Sequence, residues 1–160
     1  MTIHFIRHTS VNVPKGICYG QSEKLDLIDI DLVYCSPLDR CKKLAHYCRG
    51  NQAIIYDDRL KEMDYGEWEM KDWATIDFSQ WEEDWVHSRV PYGESFHDQY
   101  LRLCNFIEDL KERKDISQIA VFTHGGILAC ARTYFHAIPL EKAFDHNAAY
   151  GDIFTFTLST

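Results

Sequence analysis

Ile3-His4-Phe5-Ile6-Arg7-His8-Thr9 is an apolar run that ends abruptly on an arginine and a histidine. Its composition reads as a buried strand, and a core rejects Arg7 and His8 unless they stand where that strand leaves it. The pattern recurs far downstream in Ile119-Ala120-Val121-Phe122-Thr123-His124-Gly125-Gly126. Two strands that each stop at a histidine, one beside an arginine, point to an anion site at the rim of a sheet.

Working outward, Asp31 to Cys35, Ala53 to Tyr56 and Ile153 to Leu158 read as further short strands. Ser36-Pro37 predicts a helix start, with serine as the cap and proline in the first helical position. Leu38, Cys41, Leu44, Ala45 and Cys48 continue it at helical spacing as far as Gly50, which puts Arg40 in its first turn. A long amphipathic helix is expected from Ser95, with Phe96, Tyr100, Leu103, Ile107 and Leu110 on one face. Another is expected from about Ile127 to His136, and Trp68 to Trp85 is read as helical, its tryptophans serving packing. Strands alternating with helices imply an α/β three-layer sandwich, a mostly parallel central sheet with helices on both faces. Ligands of such sheets bind beyond the carboxyl ends of the strands. His8, Arg40 and His124 all fall at that edge.

With 160 residues the chain is read as one domain, 1–160, large enough to bury a substantial core. A net charge of −8 argues against nucleic-acid or anionic-membrane partners, which need a basic face. No apolar run is long enough to span a bilayer, and no signal peptide is read at the N-terminus, so a cytoplasmic protein is expected. Six cysteines form no CxxC pair, and five sit inside apolar patterns. They are expected to be reduced and structural, with no metal site.

Clustered arginines on an acidic chain suit a phosphate ester, since guanidinium groups match phosphate oxygens through charge-assisted hydrogen bonds. A neutral histidine can attack phosphorus, and a second can hold a non-bridging oxygen. The leaving alcohol needs a proton, which a carboxylic acid can give. Glu62, Asp64, Glu67 and Glu69 are four candidates in one turn, and spacing does not choose among them.

Arg7-His8-Thr9, Ser36-Pro37-Leu38-Asp39-Arg40, Leu60 to Glu69, Gly93-Glu94-Ser95 and Thr123-His124-Gly125-Gly126 together resemble the histidine phosphatase superfamily, the phosphoglycerate-mutase-like clan. Gly16 to Ser22 and Glu62 to Glu69 are most similar to its α-ribazole phosphatase branch. The resemblance implies a metal-independent phosphomonoesterase without cofactors. His8 would be the nucleophile that becomes phosphohistidine. Arg7, Arg40 and His124 would hold the phosphoryl oxygens, and Glu62 would be the general acid. It further implies α-ribazole 5′-phosphate as substrate, in cobalamin nucleotide-loop assembly, with Tyr19, Gly20 and Gln21 near the ligand. A broad-specificity phosphatase, a mutase and a non-catalytic module binding a phosphorylated ligand are the competing readings.

Two features depart from the family pattern. Thr9 stands where a glycine is usual, and only Glu23 to Ile30 fills the place of a full helix, too short for a strand crossover. The sheet face so left open is expected to be covered by the aromatic segment Trp68 to Trp85 or by a second subunit in a homo-oligomer.

Overall fold

The computed structural model describes residues 1–9 and 29–159, and within them five strands form one sheet. These are β1 (Thr2–Arg7), β2 (Leu32–Cys35), β3 (Ile54–Tyr56), β4 (Gln118–Thr123) and β5 (Ile153–Thr157), in the order β3-β2-β4-β1-β5. All neighbours are parallel except β5, which runs antiparallel to β1. The expected mostly parallel sheet is therefore observed.

Alternation along the strands divides the core into two layers. Ile3, Phe5, Tyr34, Ile119 and Val121 face α3 (Phe96–Lys111) and α4 (Gly125–His136). Ile6, Val33, Cys35, Ala120 and Phe122 face α1 (Asp39–Cys48), which contributes Cys41 and Ala45. Helices thus cover both faces, as expected. The side chains with least exposure include Phe5, Phe106, Phe122, Leu103 and Ile127, each contributing roughly 1.5–3 kcal/mol by leaving water. Cys35, Cys41, Cys48, Cys104 and Cys130 are free thiols, Cys35, Cys41 and Cys130 buried and the other two partly so.

Three local expectations are corrected. Ser36 does not cap α1: the helix begins at Asp39 after an extended Leu38 with no side-chain cap, and the serine turns inward. The segment Trp68 to Trp85 is not one helix. It is a chain of short turns with a single helical turn, α2 (Ser79–Glu82). The physical reason is three aspartates that capture nearby backbone N–H groups: Asp72 that of Ala74, Asp77 that of Ser79, and Asp84 that of His87. Such side-chain bonds compete with a continuous helical ladder. Third, α4 starts at Gly125, so the two glycines form its first turn rather than a turn before it.

The aromatic segment also does not lie on the α1 side of the sheet. Trp68 and Trp85 pack on the α3–α4 side, Trp85 lying 5.2 Å from Phe96 and 5.6 Å from Phe144 between ring centroids. On the α1 side, the β1–β5 half of the sheet carries Thr2, His4, Thr155 and Thr157 beside Ile6 and Ile153. His4 is hydrogen-bonded there to both Thr155 (2.9 Å) and Gln118 (3.3 Å). Much of that surface is therefore polar. The shortened connection itself, Glu23 to Ile30, lies outside the described residues except for its last two.

The start of α3 is a reciprocal capping box. Ser95 Oγ accepts the Asp98 N–H at 3.1 Å, and the Asp98 carboxylate accepts the Ser95 N–H at 2.9 Å. Ser95→Ala removes one half of the box and should cost about 1 kcal/mol. Thermal unfolding should show this as a midpoint lower by roughly 2–4 °C.

Candidate active site

Parallel register places the two histidines side by side. Arg7 is opposite Thr123 in the β1–β4 pair, so the next residues, His8 and His124, leave adjacent strand ends together. The His8 N–H donates to the Thr123 carbonyl at 2.9 Å, and the two imidazoles meet edge to face with centroids 5.1 Å apart. Both are buried.

His8 Nδ1 lies 2.8 Å from the Thr9 carbonyl oxygen. A carbonyl can only accept, so Nδ1 carries the proton and Nε2 of the neutral ring keeps its lone pair. Burial lowers the His8 pKa below its ordinary value. The Thr9 carbonyl and Glu62 pull upward, while the positive charges of Arg40 and Arg7 reinforce the lowering. His124 is pushed down further, to about 2, first by burial and then by Arg40 and His8. Both shifts favour the neutral ring at pH 7.

Arg7 is fixed from the opposite side by the loop before β5. Its Nη1 donates to the Ala148 carbonyl, and its guanidinium lies 4.3 Å above the Tyr150 ring. Its Nε is buried with no hydrogen-bond partner. An orphaned guanidinium N–H is costly, and an anion oxygen would satisfy it. Gly125 makes room for this group: a Cβ there would stand 3.2 Å from Arg7 Cζ. Arg40 enters from the first turn of α1 and forms no hydrogen bond or ion pair among the described residues.

Glu62 is brought to the N-terminus of α4. Its Oε1 accepts the Met63 N–H at 3.0 Å and Gln99 Nε2 at 2.9 Å, while Oε2 has one long bond of 3.3 Å from the Gly126 N–H. The positive end of the helix suits a carboxylate there. Gly126 is required by this approach, since a Cβ would lie 2.3 Å from Glu62 Oε1. Behind Glu62, Arg102 donates to the carbonyls of Arg59 (2.6 Å) and Glu62 (3.1 Å) while pairing with Glu94 at 2.9 Å. Glu94 in turn accepts the Asp64 N–H at 3.0 Å. This gives Gly93-Glu94-Ser95 a function: Glu94 ties down the loop that carries Glu62.

Arg7, His8, Arg40, Glu62 and His124 thus converge on one strand edge, while Tyr19, Gly20 and Gln21 lie outside the described residues. Sequence reading missed Ser36, Gln99, Arg102 and Tyr150. Gln99 had a visible signal, being a polar residue on the apolar stripe of α3 between Phe96 and Leu103. Tyr150 had none. Arg7, Glu62, Gly125 and Gly126 line a cleft of ≈ 630 Å³ whose other wall is Tyr65, Trp81, Trp85, Phe96 and Phe144. Trp81 and Trp85 pack on neighbouring rings, as expected, and also line this cleft.

The histidine phosphatase superfamily (branch 1) profile matches residues 20–159. A Hydrogenobacter thermophilus protein provisionally named phosphoserine phosphatase 2 is 30% identical over 125 residues, or 72% of this chain and 61% of its own. Phosphoserine phosphatase 1 of the same organism is 28% identical over 111 residues, 64% of this chain and 53% of its own. The chain therefore spans less than two thirds of the length of either relative. In fold, the chain is similar to the α-ribazole phosphatase of Shigella flexneri, with a TM-score of 0.83 and 23% identity, covering 99% of this chain and 91% of that one.

Removing a positive neighbour should relieve the pressure on His8. In NMR titration its imidazole should have a midpoint below 6.5, and Arg40→Ala should move that midpoint upward. A downward or absent shift would mean that Arg40 does not act on His8.

Proposed function

Because the chain belongs to the histidine phosphatase superfamily, we propose that it is a phosphomonoesterase working through phosphohistidine, with α-ribazole 5′-phosphate as its substrate. The observation that carries the mechanism is the bond from His8 Nδ1 to the Thr9 carbonyl, which leaves Nε2 as the attacking atom.

In the first step Nε2 bonds to phosphorus and the ester P–O bond breaks. Glu62 gives its proton to the departing alkoxide. Oε2, with one long hydrogen bond against two on Oε1, is the oxygen suited to carry that proton. In the second step Glu62 takes a proton from water, whose oxygen attacks phosphorus as the P–N bond breaks. Arg7 and Arg40 balance the charge on the phosphoryl oxygens, with His124 as a further donor, so no metal is required in this scheme.

The cleft favours a flat, apolar alcohol. Aromatic faces at Tyr65, Trp81, Trp85 and Phe144 suit the bicyclic base of α-ribazole. Phosphoserine, suggested by the Hydrogenobacter relatives, brings a carboxylate and an ammonium. Among the described lining residues the only charged side chains are Arg7 and Glu62, which the reaction already uses. Five free cysteines among the described residues, partly or fully buried, support a cytoplasmic setting.

Phosphate release from α-ribazole 5′-phosphate, O-phosphoserine and simple alkyl phosphates, measured with EDTA present, tests the reading. Turnover should be fastest with α-ribazole 5′-phosphate and unaffected by the chelator. Equal rates on all esters would replace this substrate with broad specificity. Binding of phosphate without any turnover would indicate a non-catalytic module.

His8→Ala should abolish turnover, and Glu62→Gln should reduce kcat by about 10²–10⁴-fold. Acid should inactivate the enzyme, because a proton on Nε2 removes the attacking lone pair. With the His8 pKa lowered, that loss should be centred below pH 6.5.

A further inference from the structure

We infer that Ser36 is a positioning residue: its hydroxyl donates to Nε2 of His124 and thereby holds the single proton of that ring on Nδ1. The inference rests on the phosphatase reading only in what the Nδ1–H is for, namely a phosphoryl oxygen. The hydrogen-bond assignment stands by itself.

The argument is a count of donors and acceptors in a closed space. Ser36 and His124 are both fully buried, and Ser36 Oγ lies 2.8 Å from His124 Nε2. The Leu38 N–H points at the same oxygen from 3.3 Å, so Ser36 already serves as an acceptor. Its hydroxyl proton still needs somewhere to go. Among the described residues its hydrogen-bond neighbours able to accept are His124 Nε2 and the Cys41 sulfur, and the imidazole nitrogen is much the stronger acceptor. The nearby Cys41 sulfur, 3.3 Å from Nε2, is a weak acceptor, and its own S–H is directed at the Thr123 carbonyl, also 3.3 Å away.

A neutral imidazole has one proton. If Nε2 accepts from Ser36, that proton is on Nδ1, whose only hydrogen-bond contact among the described residues is the Cys41 sulfur at 3.8 Å. The Nδ1–H is thus left nearly unused beside His8. The opposite tautomer would place a buried hydroxyl proton and the Nε2 proton in conflict along one 2.8 Å contact, or leave the hydroxyl only the weakly accepting Cys41 sulfur. It would also present a lone pair from Nδ1, which repels an anion. Burial and the neighbouring positive charges keep the ring from escaping this choice by taking a second proton.

This explains why Ser36 faces inward instead of capping α1. It also assigns two histidines on the same edge opposite duties through their backings. A carbonyl behind His8 makes its far nitrogen an acceptor, and a hydroxyl behind His124 makes its far nitrogen a donor.

Long-range ¹H–¹⁵N NMR of the ¹⁵N-histidine-labelled protein reads the tautomer directly. At pH 7, without ligand, His124 should be protonated on Nδ1 and not on Nε2. Inorganic phosphate should perturb the Nδ1 signal. In Ser36→Ala the proton should move wholly or partly to Nε2, with phosphate binding about tenfold weaker, as expected for loss of one hydrogen bond to an anion. Ser36→Thr, which keeps the hydroxyl, should restore both. An Nε2–H ring in the unaltered protein overturns the inference, and that spectrum decides even if Ser36→Ala does not fold. An Nδ1–H ring that persists unchanged in a folded Ser36→Ala protein also overturns it. The two readings fail separately. An Nδ1–H ring in a protein that hydrolyses no ester would remove the phosphatase reading and keep the serine's assignment. An active enzyme with an Nε2–H ring would do the reverse.

Discussion

The in-register parallel pairing of β1 with β4 is the constraint on which the site depends. Because Arg7 is level with Thr123, the two histidines leave the sheet at the same height and touch. A slip of one residue would separate them and turn every side chain of β1 to the other face. The register is held by apolar side chains on both faces of both strands, such as Ile3 and Phe5 on one side and Ile6 and Phe122 on the other. Core packing and site geometry are therefore one specification.

Around this pair, charged and polar groups are fixed mainly by main-chain partners. Thr9 and Ala148 offer carbonyls to His8 and Arg7, and Gly126 and Met63 offer N–H groups to Glu62. Gly126 lies in the first turn of α4 and Thr9 just beyond β1, while Met63 and Ala148 are loop residues; main-chain groups move less freely than side-chain tips, so the side chains they hold are preorganised. Glycine at 125 and 126 makes this closeness feasible by leaving space where Arg7 and Glu62 approach α4. The aromatic string from Tyr65 to Phe144 forms the softer opposite wall, shaped by the aspartate turns that break it into short segments.

Four of the strands were legible as compact apolar runs and β5 by its alternation, and α3 because its stripe is regular and its serine cap conventional. The placement of His8, Arg40 and His124 followed from topology alone. Three things were not legible. Ser36 satisfies every local rule for a cap, and only the three-dimensional neighbourhood of His124 shows why its hydroxyl points elsewhere. Trp68 to Trp85 has partial helical spacing, but Asp72, Asp77 and Asp84 divert the backbone bonds that spacing assumes. Tyr150 and Ala148 reach Arg7 across more than 140 positions of sequence, where no periodicity operates. The choice of Glu62 among four neighbouring acids came from family resemblance, and its contacts with Gly126 and Gln99 now supply a physical ground for it.

The buried thiols give the site a chemical temperament of its own. Cys35 is pushed up to about 12 by burial, and Cys41, which touches His124, is raised as well. At neutral pH almost none of either is thiolate, the form that hydrogen peroxide and alkylating agents attack. Among the described residues, the sulfurs beside the two histidines are thus kept protonated and buried, the state in which a thiol offers oxidants least to attack.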